Sequence, residues 1–326
     1  RLPALPENDP RFLRAYADAA EGAQKAAKGT VADLVDEYIK SPEWAALADL
    51  TRCQRETYLI DIRKERGKAP IKGIRPQHIR ADLAGRTPSQ ARHRLTAWRA
   101  ILRFAVGQGR LDSNPAREVQ VWRPKTEGHP PWSRSEIDRF RGAIPIGDDY
   151  RLAFELALWI GCRRSDLVRL GRQMIDTKGW LSFRQQKTGG PVEVPLPVLP
   201  DECEPFREDW ENLQAALAVC SPRMIWVQNS DGMPRSANAA SKWFERALRK
   251  AGIEGRSFHG LRKSRAIALG EAGWSELRIK AWTGHESLDE VQLYTRGARN
   301  RALIEGNAPS TKFGTSEGTR SKRAEK

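Results

Sequence analysis

Six residues in the second half of the chain have the types that phosphodiester chemistry without a metal would require: Arg163, Lys187, His259, Arg262, His285 and Tyr294. A phenol is a nucleophile once its proton has somewhere to go. An imidazole can take or return that proton, and guanidinium and ammonium groups stabilise charge on phosphoryl oxygens. The settings are GCRRSDL over 161–167, QKTGG over 186–190, HGLR over 259–262, TGH over 283–285 and LYT over 293–295.

Taken singly, each signal is modest. His259 and Arg262 are three apart and share a helix face, as many histidines beside a charge do. Arg163 follows an apolar helical pattern (Ala153, Leu156, Leu158, Trp159, Ile160), with Arg164 as second choice for the same role and Asp166 placed to orient an arginine. The plainer reading of an arginine beside Asp166 is a surface ion pair, worth about 0–1 kcal/mol. Lys187 sits beside a glycine turn, where a lysine is usually solvated; it can also reach into a groove and protonate a leaving oxygen. On one continuous helix His285 and Tyr294 would point in opposite directions, about 900° apart. Gly284 argues against that continuity, and Ser287 with Glu290 supplies a fresh N-cap. Tyr294 then belongs to a short helix of its own, able to swing relative to His285. By itself it reads as a packing aromatic with its hydroxyl at the surface.

The elements that must position these groups fall into segments. Residues 1–29 form a helical extension (Phe12, Ala15, Tyr16, Ala19, Ala20), and 30–120 a small all-helical domain with a basic surface. In that domain Thr51 and Gln54 fit a capping box, with Tyr58 and Ile62 on the apolar face behind it. Its strongest helix begins near Pro88, buries Leu95, Trp98, Leu102 and Ala105, and ends at Gly107 and Gly109. Arg92, Arg94, Arg99 and Arg103 flank it, read as mostly solvated with a minority on phosphate. A proline-containing linker spans 121–132; His129 inside it reads as a surface residue. The second domain, 133–297, opens with a capping box at Ser133 and Glu136. It has helices at 135–143 and 148–160, a hairpin whose strands 180–183 and 192–194 flank Lys187, and helices again from 236. Residues 298–326 read as a basic, flexible tail.

Jointly, the order and local context of the six residues resemble the tyrosine recombinase (phage integrase) family. The resemblance covers about 30–296 and is tightest at the Lys187 hairpin and from HGLR to Tyr294. It implies a mainly α fold with a small antiparallel β-sheet: a helical core DNA-binding domain, then an α/β catalytic domain, gripping a duplex as a C-shaped clamp. It also implies roles. Tyr294 attacks the scissile phosphate to give a 3′-phosphotyrosine and a free 5′-hydroxyl, and His259 acts as general base and acid. Arg163 and Arg262 hold the non-bridging oxygens, His285 donates a further hydrogen bond, and Lys187 protonates the leaving oxygen. The covalent link conserves bond energy, so no cofactor is implied, neither ATP nor metal. The family often has an apolar residue where this chain has Arg164. It implies double-stranded DNA recombination sites as partner, a homo-tetramer on DNA with Leu303 and Ile304 as a subunit anchor, and accessory DNA-bending or directionality factors. An integrase of a phage or genomic island is the expected role, with an arm-site-binding domain preceding Arg1.

Bulk properties agree. The chain of 326 residues carries a net charge of +15 and a pI of about 10.0, which suits a polyanionic partner. Cys53, Cys162, Cys203 and Cys220 form no CxxC pair, so neither a zinc site nor a disulfide framework is expected. No apolar run approaches the ~20 residues of a membrane helix, so a cytoplasmic, nucleoid-associated protein is expected. Two other readings compete: a type IB topoisomerase, with the same tyrosine chemistry but no exchange of partners, and a non-catalytic DNA-binding protein with no need of Tyr294.

Overall fold

The computed structural model describes residue 12, residues 26–124 and residues 128–304, with side chains described up to 297. The chain divides into two compact units, Arg1–Thr126 and Glu127–Lys326.

The first unit is helical throughout its described part. Helix α1 (Val31–Ile39) is capped by Thr30, whose hydroxyl accepts from Asp33 N–H, and α2 (Pro42–Ala45) by Ser41, with Pro42 in the first turn where no donor is lost. Then come α3 (Asp49–Arg66), α4 (Pro76–Leu83) and α5 (Pro88–Gly107). Helical spacing brings Leu34 and Tyr38 of α1, Leu59 and Ile62 of α3 and Leu95, Trp98 and Ile101 of α5 into one core. The expected capping box at Thr51 is absent, because α3 starts two residues earlier, at Asp49; Thr87 with Gln90 forms a capping box instead, at the head of α5.

Arg94 also departs from expectation. It is fully buried, because Asp82 on α4 lies opposite it. The Asp82 carboxylate accepts from Arg94 Nε (2.6 Å) and Nη2 (2.9 Å), Arg66 Nε (2.8 Å) and Trp98 Nε1 (2.8 Å). Burial by itself would raise the Asp82 carboxyl, yet the bonds from Arg94, Arg66 and Trp98 outweigh it and hold the pKa at about 2.

In the second unit Ser133 and Glu136 cap α6 (Arg134–Ala143) reciprocally. Helix α7 (Asp149–Ile160) is buried along its length from Arg151 onward and forms the unit's axis. After a short α8 (Arg164–Leu167) the chain makes the hairpin, β1 (Trp180–Arg184) antiparallel to β2 (Pro191–Pro195), with Leu181 opposite Val194 and Phe183 opposite Val192. Then follow α9 (Arg207–Ala218), α10 (Ala237–Lys250), α11 (Phe258–Glu271), α12 (Glu276–Thr283) and α13 (Leu288–Ile304). Helix α11 lies against α7, α12 and α13, and α12 against β2. Stacked pairs Phe140–Phe154 and Phe244–Phe258, with centroids 4.2 and 4.0 Å apart, fill the centre.

Helix α13 is not the short piece expected after Gly284. It has 17 residues, so that 298–304, read from the sequence as tail, are helical. The side chains of Leu303 and Ile304, the tail after 304 and most of the 1–29 extension lie outside the described residues. Among the described residues no helix is long and apolar enough to cross a membrane.

Replacing Asp82 by alanine leaves the buried Arg94 with Glu65 (2.7 Å) as its remaining ion-pair partner among the described residues, and we expect a loss of about 3 kcal/mol in urea denaturation followed by circular dichroism. Because the folded carboxyl titrates below its ordinary 3.8, its stabilisation is full above that value and fades as pH falls through about 2. A change under ~1 kcal/mol would refute this account.

Candidate active site

Two helices in this unit end the same way. Helix α7 stops at Gly161 (φ +65°) and α12 at Gly284 (φ +67°), both left-handed, a conformation glycine adopts without strain. Each end leaves carbonyls without a partner inside the helix. Arg262 supplies the donors. Its buried guanidinium donates from Nη1 to Gly161 O (2.9 Å) and to Thr283 O, and from Nη2 to Gly284 O (3.4 Å). Arg163 lies two residues past Gly161, and His285 follows Gly284 directly, so the clamp fixes both beside Arg262.

Arg163 donates from Nη1 to Gln185 Oε1, and Gln185 Nε2 donates to Gly284 O. Thr188 adds a hydroxyl bond to the same Oε1 at 2.9 Å. A side chain at 284 would collide with Gln185, which is a second reason for glycine there. Gln185 is only 5% exposed and links the Lys187 hairpin to both other segments. Sequence reading missed it: its signal is a glutamine two residues before the lysine. Asp166 does not orient an arginine through a hydrogen bond. Its Oδ1 accepts from Gln186 N–H (2.8 Å), so it holds the hairpin, and burial pushes its carboxyl up against the pull of that bond and of Arg163 and Arg262. Arg164 turns the other way, to Ser241 Oγ (2.6 Å) and Asn238 Oδ1 (3.0 Å) on α10. Of the two arginines, then, it is Arg163 that joins the cluster.

His285 is buried, with Nδ1 2.5 Å from the Thr283 hydroxyl. Its Nε2 is buried without a hydrogen-bond partner among the described residues. Burial, then Arg262, Arg163 and His259, push its pKa down to about 3. His259, second residue of α11 and half-buried, is pushed to about 4 by burial and then by His129, Arg262, Lys263 and Arg163. Both imidazoles are therefore neutral at pH 7. Burial and the charge of Arg163 bring the Arg262 guanidinium down to about 10, which leaves it protonated at pH 7. Among the described residues neither Arg163 nor Arg262 forms an ion pair.

The break after α12 does what Gly284 and Ser287 promised. Ser287 Oγ accepts from Glu290 N–H (3.4 Å), and the new helix turns Tyr294 back on to His285, with ring centroids 5.5 Å apart at 62°. Lys263 Nζ stands 5.2 Å from the Tyr294 ring centre. The phenol is half-buried, and burial with the Glu290 charge raises its pKa against the opposing pull of Arg262 and Arg163. Five of the six residues thus share one electrostatic neighbourhood. Lys187 is exposed at the hairpin tip, and no hydrogen bond or ion pair among the described residues ties it to the other five. The arrangement suits an anion: two guanidiniums without an ion pair among the described residues, two neutral imidazoles and a protonated phenol converge.

Known proteins share the fold that carries these residues. The model of the phage integrase family matches residues 139–301. The integrase of Mycobacterium phage D29 is 23% identical over 304 residues, spanning 86% of this chain and 79% of its own. Among solved structures, a lambda integrase (75–356) dimer bound to a COC′ core site superposes with a TM-score of 0.67 at 22% identity, covering 80% of this chain and 97% of that one. A lambda integrase tetramer bound to a Holliday junction gives 0.66 at 21% identity, with 86% and 87% covered. At such identities the structural likeness carries the fold, and the family model, matching half of the chain, carries membership. The chain belongs to the phage integrase family and is a tyrosine recombinase, an enzyme that cleaves and rejoins DNA strands.

Proposed function

We propose that this chain is an integrase-type, site-specific recombinase whose reaction runs through Tyr294. The contact of the Tyr294 ring with His285, beside the Arg163–Arg262 pair, is the observation that carries the reading. The scissile phosphate sits between the two guanidiniums, which hold its non-bridging oxygens and stabilise the charge of the pentacoordinate state. Neutral His259 takes the phenolic proton as the Tyr294 oxygen bonds to phosphorus. The bond to the 5′ oxygen breaks, and that oxygen takes a proton from Lys187, which the hairpin brings in. The reverse step, with a different 5′-hydroxyl, joins new strands. His285 Nε2, without a hydrogen-bond partner among the described residues, faces the same phosphate. Double-stranded DNA is the partner, consistent with the charge of +15. The lambda integrase tetramer on a Holliday junction supports four copies acting on two duplexes, and the phage D29 relative supports integration or excision of a mobile element as the role. Accessory DNA-bending or directionality factors belong to the same proposal. The topoisomerase and non-catalytic readings gain no support from the comparisons.

On a nicked suicide duplex carrying the attachment sequence of its own element, we expect an SDS-resistant protein–DNA adduct in the presence of EDTA. The Tyr294→Phe variant should form none while binding the duplex with unchanged affinity. An adduct from that variant would move the nucleophile elsewhere.

Gln185→Ala removes the acceptor of Arg163 and the donor to Gly284 together. Cleavage should slow by about 10²-fold through misplaced groups, with DNA affinity retained. Cleavage at the wild-type rate would show that Arg163 is positioned without Gln185.

A further inference from the structure

His129 is exposed, as a residue of a polar connecting stretch should be, yet it is not idle. Its Nδ1 lies 3.0 Å from Ser257 Oγ, and its ring stands edge-on to that of His259, with centroids 5.1 Å apart at 64°. The stretch around it is fastened on to the first turn of α11. Trp132 N–H donates to Ser264 Oγ (2.7 Å), and Trp132 Nε1–H donates to Ser257 O (3.0 Å). A Cβ at Gly260, inside HGLR, would run into Pro130 O and the Trp132 indole, so the strap crosses the helix directly over that glycine. His129 is thus held on one side by Ser257 and carried on the other by a strap that closely follows α11.

We propose that His129 is a positioning residue for His259: anchored through Ser257, its imidazole backs the His259 ring edge-on and keeps it turned towards the arginine pair. This deepens the reading of His259 as general base and rests on it. The groups that face His259 are His129 from the strap, Arg262 and Lys263 from its own helix, Arg163 from the turn after α7, and His285 from the turn after α12. His129, Arg262, Lys263 and Arg163 each oppose proton uptake by His259. Taking the His129 imidazole away therefore lets His259 accept a proton more readily.

The test uses the full chain. His129→Gln keeps a hydrogen-bonding group for Ser257 but cannot become charged. In the DNA-free protein, the His259 ring resonance, assigned with His259→Gln, should titrate about one pH unit higher in His129→Gln than in the wild type. On the nicked suicide duplex, the acid limb of the cleavage profile should move up in pH by a similar amount. His129→Ala, which also removes the backing ring, should lower the plateau rate about tenfold with DNA affinity unchanged. An unshifted His259 titration, together with wild-type cleavage by both variants, overturns the proposal. A wild-type chain that forms no adduct overturns the parent reading instead, and the resonance titration, which needs no DNA, still decides whether the two histidines are paired as stated.

Discussion

The second unit depends on one buried cation. Helices α7 and α12 come from distant parts of the sequence, and each ends in a left-handed glycine that leaves carbonyls facing the interior. Arg262 satisfies both ends at once. Helix C-termini carry partial negative charge, so a guanidinium between two of them is electrostatically favoured as well as hydrogen-bonded. That favourable setting offsets much of the cost of burying it, and the group stays protonated at neutral pH. Remove this clamp and Arg163, His285 and the hairpin bound through Gln185 lose their common reference.

The same cation sets the chemistry of its neighbours. With Arg163 beside it and no ion pair to either among the described residues, the two guanidiniums make the potential at the imidazoles positive. Burial and that potential strip protons from His259 and His285. On Tyr294 the two influences oppose: burial raises the phenol while the arginines pull it down, and burial prevails. A phosphate entering the cluster changes every one of these balances in the same direction for the imidazoles, since its negative charge cancels the field that keeps them neutral.

Much of this was legible in the sequence because it is local. Gly284 followed by Ser287 announces a helix break, and the break decides whether Tyr294 meets His285. The strand alternation around Lys187 gives the hairpin, and the Ser133–Glu136 pair gives the start of α6. What escaped was tertiary. Arg94 looks like one more arginine on a basic helix until Asp82, on another helix, is found opposite it. Gln185 looks like a polar neighbour of a lysine until folding brings Arg163 and Gly284 to its two ends. His129 and His259 are far apart in sequence, and no periodicity links them. Thr51 misled for a different reason: a capping pattern is short enough to occur inside a helix that has already begun.

Gly260 shows how closely the strap is fitted. Its missing side chain is the space in which Pro130 and Trp132 lie, so the segment entering the second unit touches the turn that carries the proposed base. Consider the chain alone, before any duplex arrives. Its phenol holds its proton more tightly than a free tyrosine does, and its imidazole accepts one far less readily than a free histidine does. For the proposed nucleophile and base, both shifts thus oppose passing the proton from one to the other. On the proposed reading, a phosphate between the arginines gives His259 back its affinity for a proton, so the DNA backbone completes the base that its own cleavage requires.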